Sequence, residues 1–590
     1  MNSTSEWLSS PIGRRRAARA GLFGALIAAL ATLPWLGVGT LWDNSETAYG
    51  EIVRELMQRG DAIILHFNGR PWFVHPPLYF WIAACCADLF HRTTFALRLP
   101  SAIATILMSA VLGAFVARRL TTRPARYAGV ILATMLLQAI LGRLALMDAL
   151  LDAALLGTTT AWARAIMPIG SNAARGGALI VGAIVAGLGV LAKGPIAVLL
   201  PLLILIPWAL WERGIGGIVT PPRRAMPIAV AAFCAIVAPW YLAVTIAGDG
   251  GGIAEHLLHY TFGRYVGTIE NQTGPIWYYL PVALLGVFPW TGYLIAALWR
   301  VATRRRLLQS ADTRGMLTRL SLCWLLVPLI FFSFAQTKLP SYLAPALPGA
   351  AILIALWLDE ALLAGRRRAL LVTLTLPVFL ALVLVGMQHF ATGNHLGPAF
   401  ASLHGDALTF VCLILGGALV TGLTILRRSS APYAPFALVV GMIAAYLYLA
   451  GVTLPKAEAF KPIPPLATVI SRLYHAGDFV AIQGVSGENA LLYYATQPPL
   501  LVLDSPNSPA HAAENDPALL LCQPNRVFLV GPTERPNPDP TYGRRRRVLA
   551  RAGKDTLFLF DGPGCAMPTE RTTPRRPRSL DSRSSVTVRR

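Results

Sequence analysis

The sequence predicts an all-α polytopic transmembrane domain of about thirteen helices, with a helical juxtamembrane loop near its start and a small α/β domain at its C-terminal end. Three observations carry this. Apolar side chains make up 55% of the 590 residues against 14% charged, and mean hydropathy is +0.55, well beyond the composition of a globular chain. Apolar runs of about 17–25 residues recur, the length at which a helix crosses hydrocarbon, where irregular backbone is not tolerated against lipid. Arginines stand in short blocks between those runs, the pattern that orients membrane helices.

The first element is a basic N-terminus over 1–20, with Arg14, Arg15, Arg16 and Arg19 ahead of an apolar run from Gly21 to Trp42. That run is too long for the core of a signal peptide, so it reads as an uncleaved span with its N-terminus in the cytoplasm; cleavage near Ala29 to Ala31 is the alternative. Further spans are expected near 96–117, 127–141, 145–162, 176–192, 195–211, 226–247, 277–299, 319–335, 342–362, 369–389, 406–426 and 432–454. The apolar stretch Pro76 to Phe90 is short for a span and reads as a juxtamembrane helix. With it off the membrane, the blocks at Arg118 to Arg126, Arg164 with Arg175, Arg213 with Arg223 and Arg224, Arg300 to Arg319, Arg366 to Arg368, and Arg427 with Arg428 all fall inside, as the positive-inside rule asks. The transmembrane domain then covers 21–455, residues 43–95 form a periplasmic loop, and everything after it is exported.

In the exported part, strand-like runs at Phe479–Ile482, Leu500–Leu503, Val527–Val530 and Leu557–Phe560 alternate with helical stretches such as that holding Leu491, Tyr493 and Tyr494. This alternation predicts a periplasmic α/β domain over 456–566. Residues 567–590, rich in Arg, Pro, Ser and Thr, read as a disordered tail. The net charge of +22 is explained by topology and that tail; no basic groove with interleaved aromatics points to nucleic acid. The seven cysteines have no zinc-ligand spacing. Cys522 and Cys565 either pair in an oxidising compartment or stay free thiols.

On this threading the unusual polar residues gather at the outer ends of spans. Asp43-Asn44-Ser45-Glu46 follows the first run and precedes a helical segment with Glu51, Arg54 and Glu55. Asn44 or Ser45 suits a helix N-cap with acidic residues in the first turn, and Asp43, ahead of the cap at the membrane surface, can serve a reacting centre. His75, just before Pro76-Pro77, can meet an anion, bind metal or face water. Arg143, Asp148 and Asp152 stand at the start of one span, where buried carboxylates need a partner; Arg143 is the expected one, in an ion pair or in catalysis. Lys193 and Lys338, the latter followed by Tyr342, sit at outer span ends, where they can snorkel or cradle a phosphate. Arg264 adds a cation on that side. His256 and His259 lie in the same loop, and Glu255 with His259 has a spacing that allows metal ligation but lacks a third ligand. A divalent metal is therefore an option, and no cofactor is firmly implied.

At these residues the sequence resembles the GT-C type lipid-linked-sugar glycosyltransferases of the protein mannosyltransferase superfamily, and among them the bacterial aminoarabinose lipid A transferases. The motifs are Asp43 to Glu55, Asn68 to Tyr79, Gly274-Pro275-Ile276-Trp277-Tyr278-Tyr279-Leu280-Pro281, Phe288-Pro289-Trp290 and Lys338-Leu339-Pro340-Ser341-Tyr342. The resemblance implies an inner-membrane enzyme that takes a sugar from a polyprenyl-phosphate donor at the periplasmic face and passes it to a lipid A-like or other envelope acceptor, a lipid or a glycan. It places Asp43 at the reacting centre, with Glu46 beside it. His75 departs from the family's Lys before Pro-Pro-Leu, and Val74 from its Glu, which puts a zinc site there in doubt. The competing class is a transporter or flippase, but no paired repeat with midplane polar groups is seen.

Overall fold

The computed structural model describes residues 11–42, 45–91, 93–214, 218–247, 263–267, 273–393, 404–427, 431–495, 500–503, 525–533 and 545–561. The chain divides into two compact units, Met1–Pro464 with Asn489–Pro498, and Pro465–Glu488 with Pro499–Arg590.

The first unit is helical. Among the described residues, eight helices are long and apolar enough to cross a membrane: Thr94–Ala117, Asn172–Lys193, Ile196–Arg213, Ala225–Ala247, Thr313–Phe334, Pro340–Leu363, Gly405–Leu426 and Ala434–Phe460. A ninth is a broken pair, Tyr279–Gly286 and Thr291–Thr303, bent by 113°. The stretch 277–299, expected as one straight span, is thus two pieces, and Pro289 at the break has no N–H to carry the helix on. Four further apolar stretches are helical as well, Pro11–Thr32, Thr122–Thr134 with Leu136–Leu141, Asp148–Ile166 and Arg367–Gly393.

Local chemistry sets the ends. Thr93 accepts from the Ala96 amide at 3.2 Å and Asp312 from the Gly315 amide at 2.7 Å, each occupying an otherwise orphan donor of a first turn. Close approach needs small residues: a Cβ on Gly24 would stand 2.7 Å from the Ser109 carbonyl, and one on Gly129 2.9 Å from the same oxygen. Three helices therefore meet backbone to backbone near Ser109, the small-residue packing that membrane bundles use in place of a hydrophobic drive.

One element departs from expectation in a way that shapes the site. The run Gly21 to Trp42 is helical only to Thr32; Pro34 interrupts the ladder, Gly39 turns with φ +79°, and residues 33–42 run as an irregular strap. After it come the helix Ser45–Arg59, a small hairpin pairing β1 (His66–Phe67) with β2 (Arg70–Pro71), and the helix Leu78–Leu89.

The second unit holds β3 (Phe479–Gln483), β4 (Leu500–Leu503), β5 (Val527–Pro532), β6 (Arg545–Ala552) and β7 (Asp555–Asp561) in the order β4-β3-β5-β7-β6. β3 is parallel to β4 and β5, while β7 is antiparallel to β5 and β6. Ala481, Val527, Leu529, Phe558 and Phe560 form a core on it. Cys522, Cys565 and residues 567–590 lie outside the described residues.

Candidate active site

The strap 33–42 is a stretch of non-helical backbone within a membrane domain, so its carbonyls need partners. Two arginines supply them. Arg143 donates to the carbonyls of Ala31, Thr32 and Pro34 at 3.0, 2.9 and 2.8 Å. Arg98 donates to those of Leu36, Val38 and Thr40, each at 3.2 Å. Arg98 also grips Glu46 with Nε and Nη2, both at 2.9 Å. Glu46 is 2% exposed and accepts further from the amides of Trp42 at 2.8 Å and Ala145 at 2.6 Å. Its oxygens are fully engaged in holding the strap, the start of the Ser45 helix and the Gly142–Leu146 turn in one register.

The strap's last residues are held again from the other side. Lys461 Nζ donates to Thr40 Oγ1 at 2.9 Å and to Glu458 Oε1 at 2.7 Å, and stands 4.1 Å above the Trp42 ring. The Leu41 amide donates to the Tyr494 hydroxyl at 2.6 Å. Burial pulls the Lys461 ammonium below its ordinary pKa, and the Glu458 bond offsets part of that. A cavity of about 440 Å³ opens against this framework, with Trp42 and Ser45, on either side of Asp43 and Asn44, both in its wall. Glu46, Arg98 and Arg143 line it beside apolar groups such as Leu136, Ile140 and Tyr446. Burial brings the Arg143 guanidinium down to about 10, still charged at neutral pH.

The turn after Arg143 links this cavity to a second cluster. Asp148, expected to pair with Arg143, instead accepts from Lys193 Nζ at 2.8 Å. The cause is plain: the guanidinium is spent on carbonyls where the first helix ends and the strap begins, a stretch the sequence predicted as continuous helix. Lys193 also lies 5.6 Å from the centre of the Tyr342 ring, and Lys338 5.7 Å from that of Tyr279. Lys338 Nζ is turned inward, donating to the carbonyls of Ser333 and Ala335 at 2.8 Å and of Phe332 at 3.4 Å, so it caps the helix that ends at Phe334. Burial lowers its pKa. Asp152 is 3% exposed, and its Oδ2 has no hydrogen-bond partner among the described residues.

His75 is placed apart from the cavity wall, 8% exposed and edge-on to Tyr49 and Trp72 at ring separations of 6.4 and 5.7 Å. Asp43, His256, His259 and the side chain of Arg264 lie outside the described residues. Among the described residues no group of three His, Cys, Asp or Glu side chains is arranged to hold a metal. Of the residues singled out in the sequence, the structure brings Glu46 and Arg143 together at one cavity, and Asp148, Lys193 and Tyr342 in a neighbouring cluster with Lys338 close to Tyr279. It missed Arg98, whose signal was a cation within an apolar helical run, and it missed Glu458 and Lys461, ordinary in sequence and notable only once they meet the strap.

Comparison with known proteins bears on this geometry. Residues 74–242 match the family described as dolichyl-phosphate-mannose-protein mannosyltransferase. An undecaprenyl phosphate-α-4-amino-4-deoxy-L-arabinose arabinosyl transferase of Pectobacterium atrosepticum is 31% identical over 395 residues, covering 65% of this chain and 67% of the relative. The chain belongs to this family of arabinosyl transferases. The transferase of the same name from Aeromonas hydrophila is 32% identical over 343 residues, 56% of this chain, and the match spans 58% of that relative's length. In fold, the chain is similar to the crystal structure of ArnT from Cupriavidus metallidurans bound to undecaprenyl phosphate, with a TM-score of 0.74 at 20% identity over 91% of this chain and 97% of that one. Membership and the apolar helices make this an integral membrane protein of the inner membrane.

Proposed function

We propose that the protein is a glycosyltransferase that moves a 4-amino-4-deoxy-L-arabinose-type sugar from undecaprenyl phosphate to a lipid A-like or other envelope acceptor at the periplasmic face. The observation that carries this reading is the pinned strap: Trp42 and Ser45 line an apolar cavity with Arg143 in its wall, and Asp43, which stands between those two residues in the sequence, is the carboxylate we assign to the lipid phosphate and its sugar there. The relatives' donor is a lipid phosphate of that chemistry. The reading takes thirteen helical crossings with the N-terminus in the cytoplasm, residues 43–95 as a periplasmic loop, and the sheet unit as a periplasmic domain. A transporter is not favoured, since the relatives are transferases.

The reaction is displacement at the anomeric carbon. The bond from that carbon to the donor phosphate oxygen breaks, its electron pair leaves with undecaprenyl phosphate, and the acceptor oxygen forms the new bond. Asp43 takes the acceptor's proton when this is a hydroxyl, or steadies positive charge on the sugar when the acceptor is already a phosphate anion. Lys193 and Arg143, with Arg264 and His75 as further cations on that side, stabilise the phosphate as it leaves; a protonated His75 is needed for it to take part. Glu46 positions the strap instead of reacting, because four donors already occupy its oxygens. Lys338 and Tyr342 shape the wall against which Lys193 lies. The test is purified full-length protein with a polyprenyl-phosphate aminoarabinose donor and lipid A, with product followed by mass spectrometry. A mass gain of one aminoarabinose supports the reading; intact donor and unmodified lipid A under conditions where an established transferase is active overturn it.

A further inference from the structure

We infer that the arginine-rich end of the membrane domain carries a second lipid site, a cleft for one anionic diacyl phospholipid between the helices Thr291–Thr303 and Arg367–Gly393. A groove of about 500 Å³ runs along the seam between these helices, which meet closely where Gly292 faces the Thr373 carbonyl. Its walls include Ile295, Trp299 and Val372, which are 49%, 71% and 66% exposed, apolar groups at lipid-facing positions of two membrane helices. One end of the cavity is cationic, formed by Arg300, Arg304 and Arg366.

Those three guanidiniums share a single carboxylate. Glu360 contacts Arg300, meets Arg304 Nη1 at 2.8 Å and Arg366 Nη2 at 3.6 Å, so among the described residues three positive charges share one negative charge. Arg300 is 8% exposed, and its buried Nε has no hydrogen-bond partner among the described residues. A buried charged donor left open is costly, and an anion of bidentate geometry, such as a phosphate diester, matches a guanidinium fork. The headgroup has room: a further space of about 530 Å³, walled by Ala302 to Leu307, shares Thr303 and Arg304 with the first. A cationic mouth above an apolar groove selects a lipid that is charged at one end.

This site is distinct from the candidate active site. Lys338 directly precedes and Tyr342 lies at the start of the Pro340–Leu363 element, 24 residues long, and Glu360 lies near its far end. At 1.5 Å per residue the two are separated by roughly 30 Å, about the thickness of a hydrocarbon core. A phosphate bound at Arg300 is therefore not one bound beside Lys193 and Tyr342, whichever reaction runs there.

The test uses the full chain purified in detergent and the part of its tryptophan fluorescence that is lost in Trp299→Phe. Phosphatidylglycerol with brominated acyl chains should quench that part at a concentration about fivefold or more below brominated phosphatidylcholine, given what uncompensated arginines contribute at a lipid surface. The double variant Arg304→Gln, Arg366→Gln should erase the preference; these side chains are 47% and 36% exposed, and thermal unfolding checks that the fold is kept. Ala369→Trp, which fills the cleft from within without touching an arginine, should abolish quenching by both lipids. Equal quenching by the two lipids, an unchanged preference in the double variant, or quenching that survives Ala369→Trp would each overturn the proposal. Inorganic phosphate is the remaining arm. Full displacement of the lipid by millimolar phosphate would show a free-anion site and overturn it as well.

Discussion

Arginine does different work at the two ends of the membrane domain. At the candidate active site Arg98 and Arg143 spend six hydrogen bonds on carbonyls, four on the strap and two on the helix end ahead of it, which lets backbone leave the helical ladder inside a membrane protein and line a cavity. At the opposite end several guanidiniums meet carboxylates: Arg319 with Glu212, both side chains fully buried, alongside two loop carbonyls, Arg123 and Arg314 with Asp359, and the trio around Glu360. One end builds an opening; the other ties helices together. Removal of an arginine should then open the first and only loosen the second.

The sharpest way to break that contrast is Arg98→Met. It removes three carbonyl partners and leaves Glu46 buried beside two amides with its paired cation gone, a loss expected at ~3–5 kcal/mol, read as a large drop in thermal unfolding temperature in detergent. Glu46→Gln in the Arg98→Met background should recover part of it, because the uncompensated charge is gone. A single Arg98→Met variant as stable as wild type would mean that the strap holds itself.

Next comes Asp43→Asn, which keeps size and capping capacity but removes the charge. Sugar transfer should fall by about a hundredfold or more with thermal stability unchanged. Transfer within a few fold of wild type would make Asp43 a loop residue and remove the functional reason for pinning its neighbours.

The two lysines sharpen the comparison inside the site end itself. Lys193 pairs with one carboxylate and faces Tyr342, whereas Lys338 has its donors on three carbonyls. Lys193→Ala should cost about tenfold in turnover, with Lys193→Arg partly tolerated, since charge survives and geometry changes. Lys338→Met should act mainly on stability, by ~1–3 kcal/mol for the carbonyls it leaves unpaired. The reverse outcome, a stable but inactive Lys338→Met, would make Lys338 the phosphate ligand.

How far the sequence revealed this follows from where each signal lives. Span-length apolar runs placed the helices, because the hydrocarbon constraint is local and strong; the helix Leu78–Leu89 was likewise legible as a short apolar run opened by two prolines. The run Gly21 to Trp42 misled, since composition alone does not tell helix from strap, and the information that decides it lies sixty and more residues away in Arg98 and Arg143. Asp148 was assigned to the wrong cation for the same reason. Lys193 was noticed at once as a break between two apolar runs, but its partner was fixed by helix packing, not by spacing. Strand runs such as Phe479–Ile482 could be read from β-branched and aromatic content, while the order β4-β3-β5-β7-β6 could not.

The smallest expected effect tests the other half of the contrast. Arg314 reaches Asp359 with a side chain that is 34% exposed, while Asp359 itself is 1% exposed and also receives Arg123 Nε at 2.6 Å. Arg314→Gln leaves the buried carboxylate with its second cation, and a partly exposed pair of this kind contributes about 0–1 kcal/mol. The expected result is a shift in unfolding temperature far smaller than that of Arg98→Met, and sugar transfer within twofold of wild type, because Arg314 touches neither cavity nor strap. Arg123→Gln alone should behave in the same way, but the two together should cost far more than their sum, since only then is Asp359 left buried and unpaired. If Arg314→Gln by itself destabilised as much as Arg98→Met, the carboxylate-paired arginines would be as indispensable as those that hold the strap, and the division of labour between the two ends would fail.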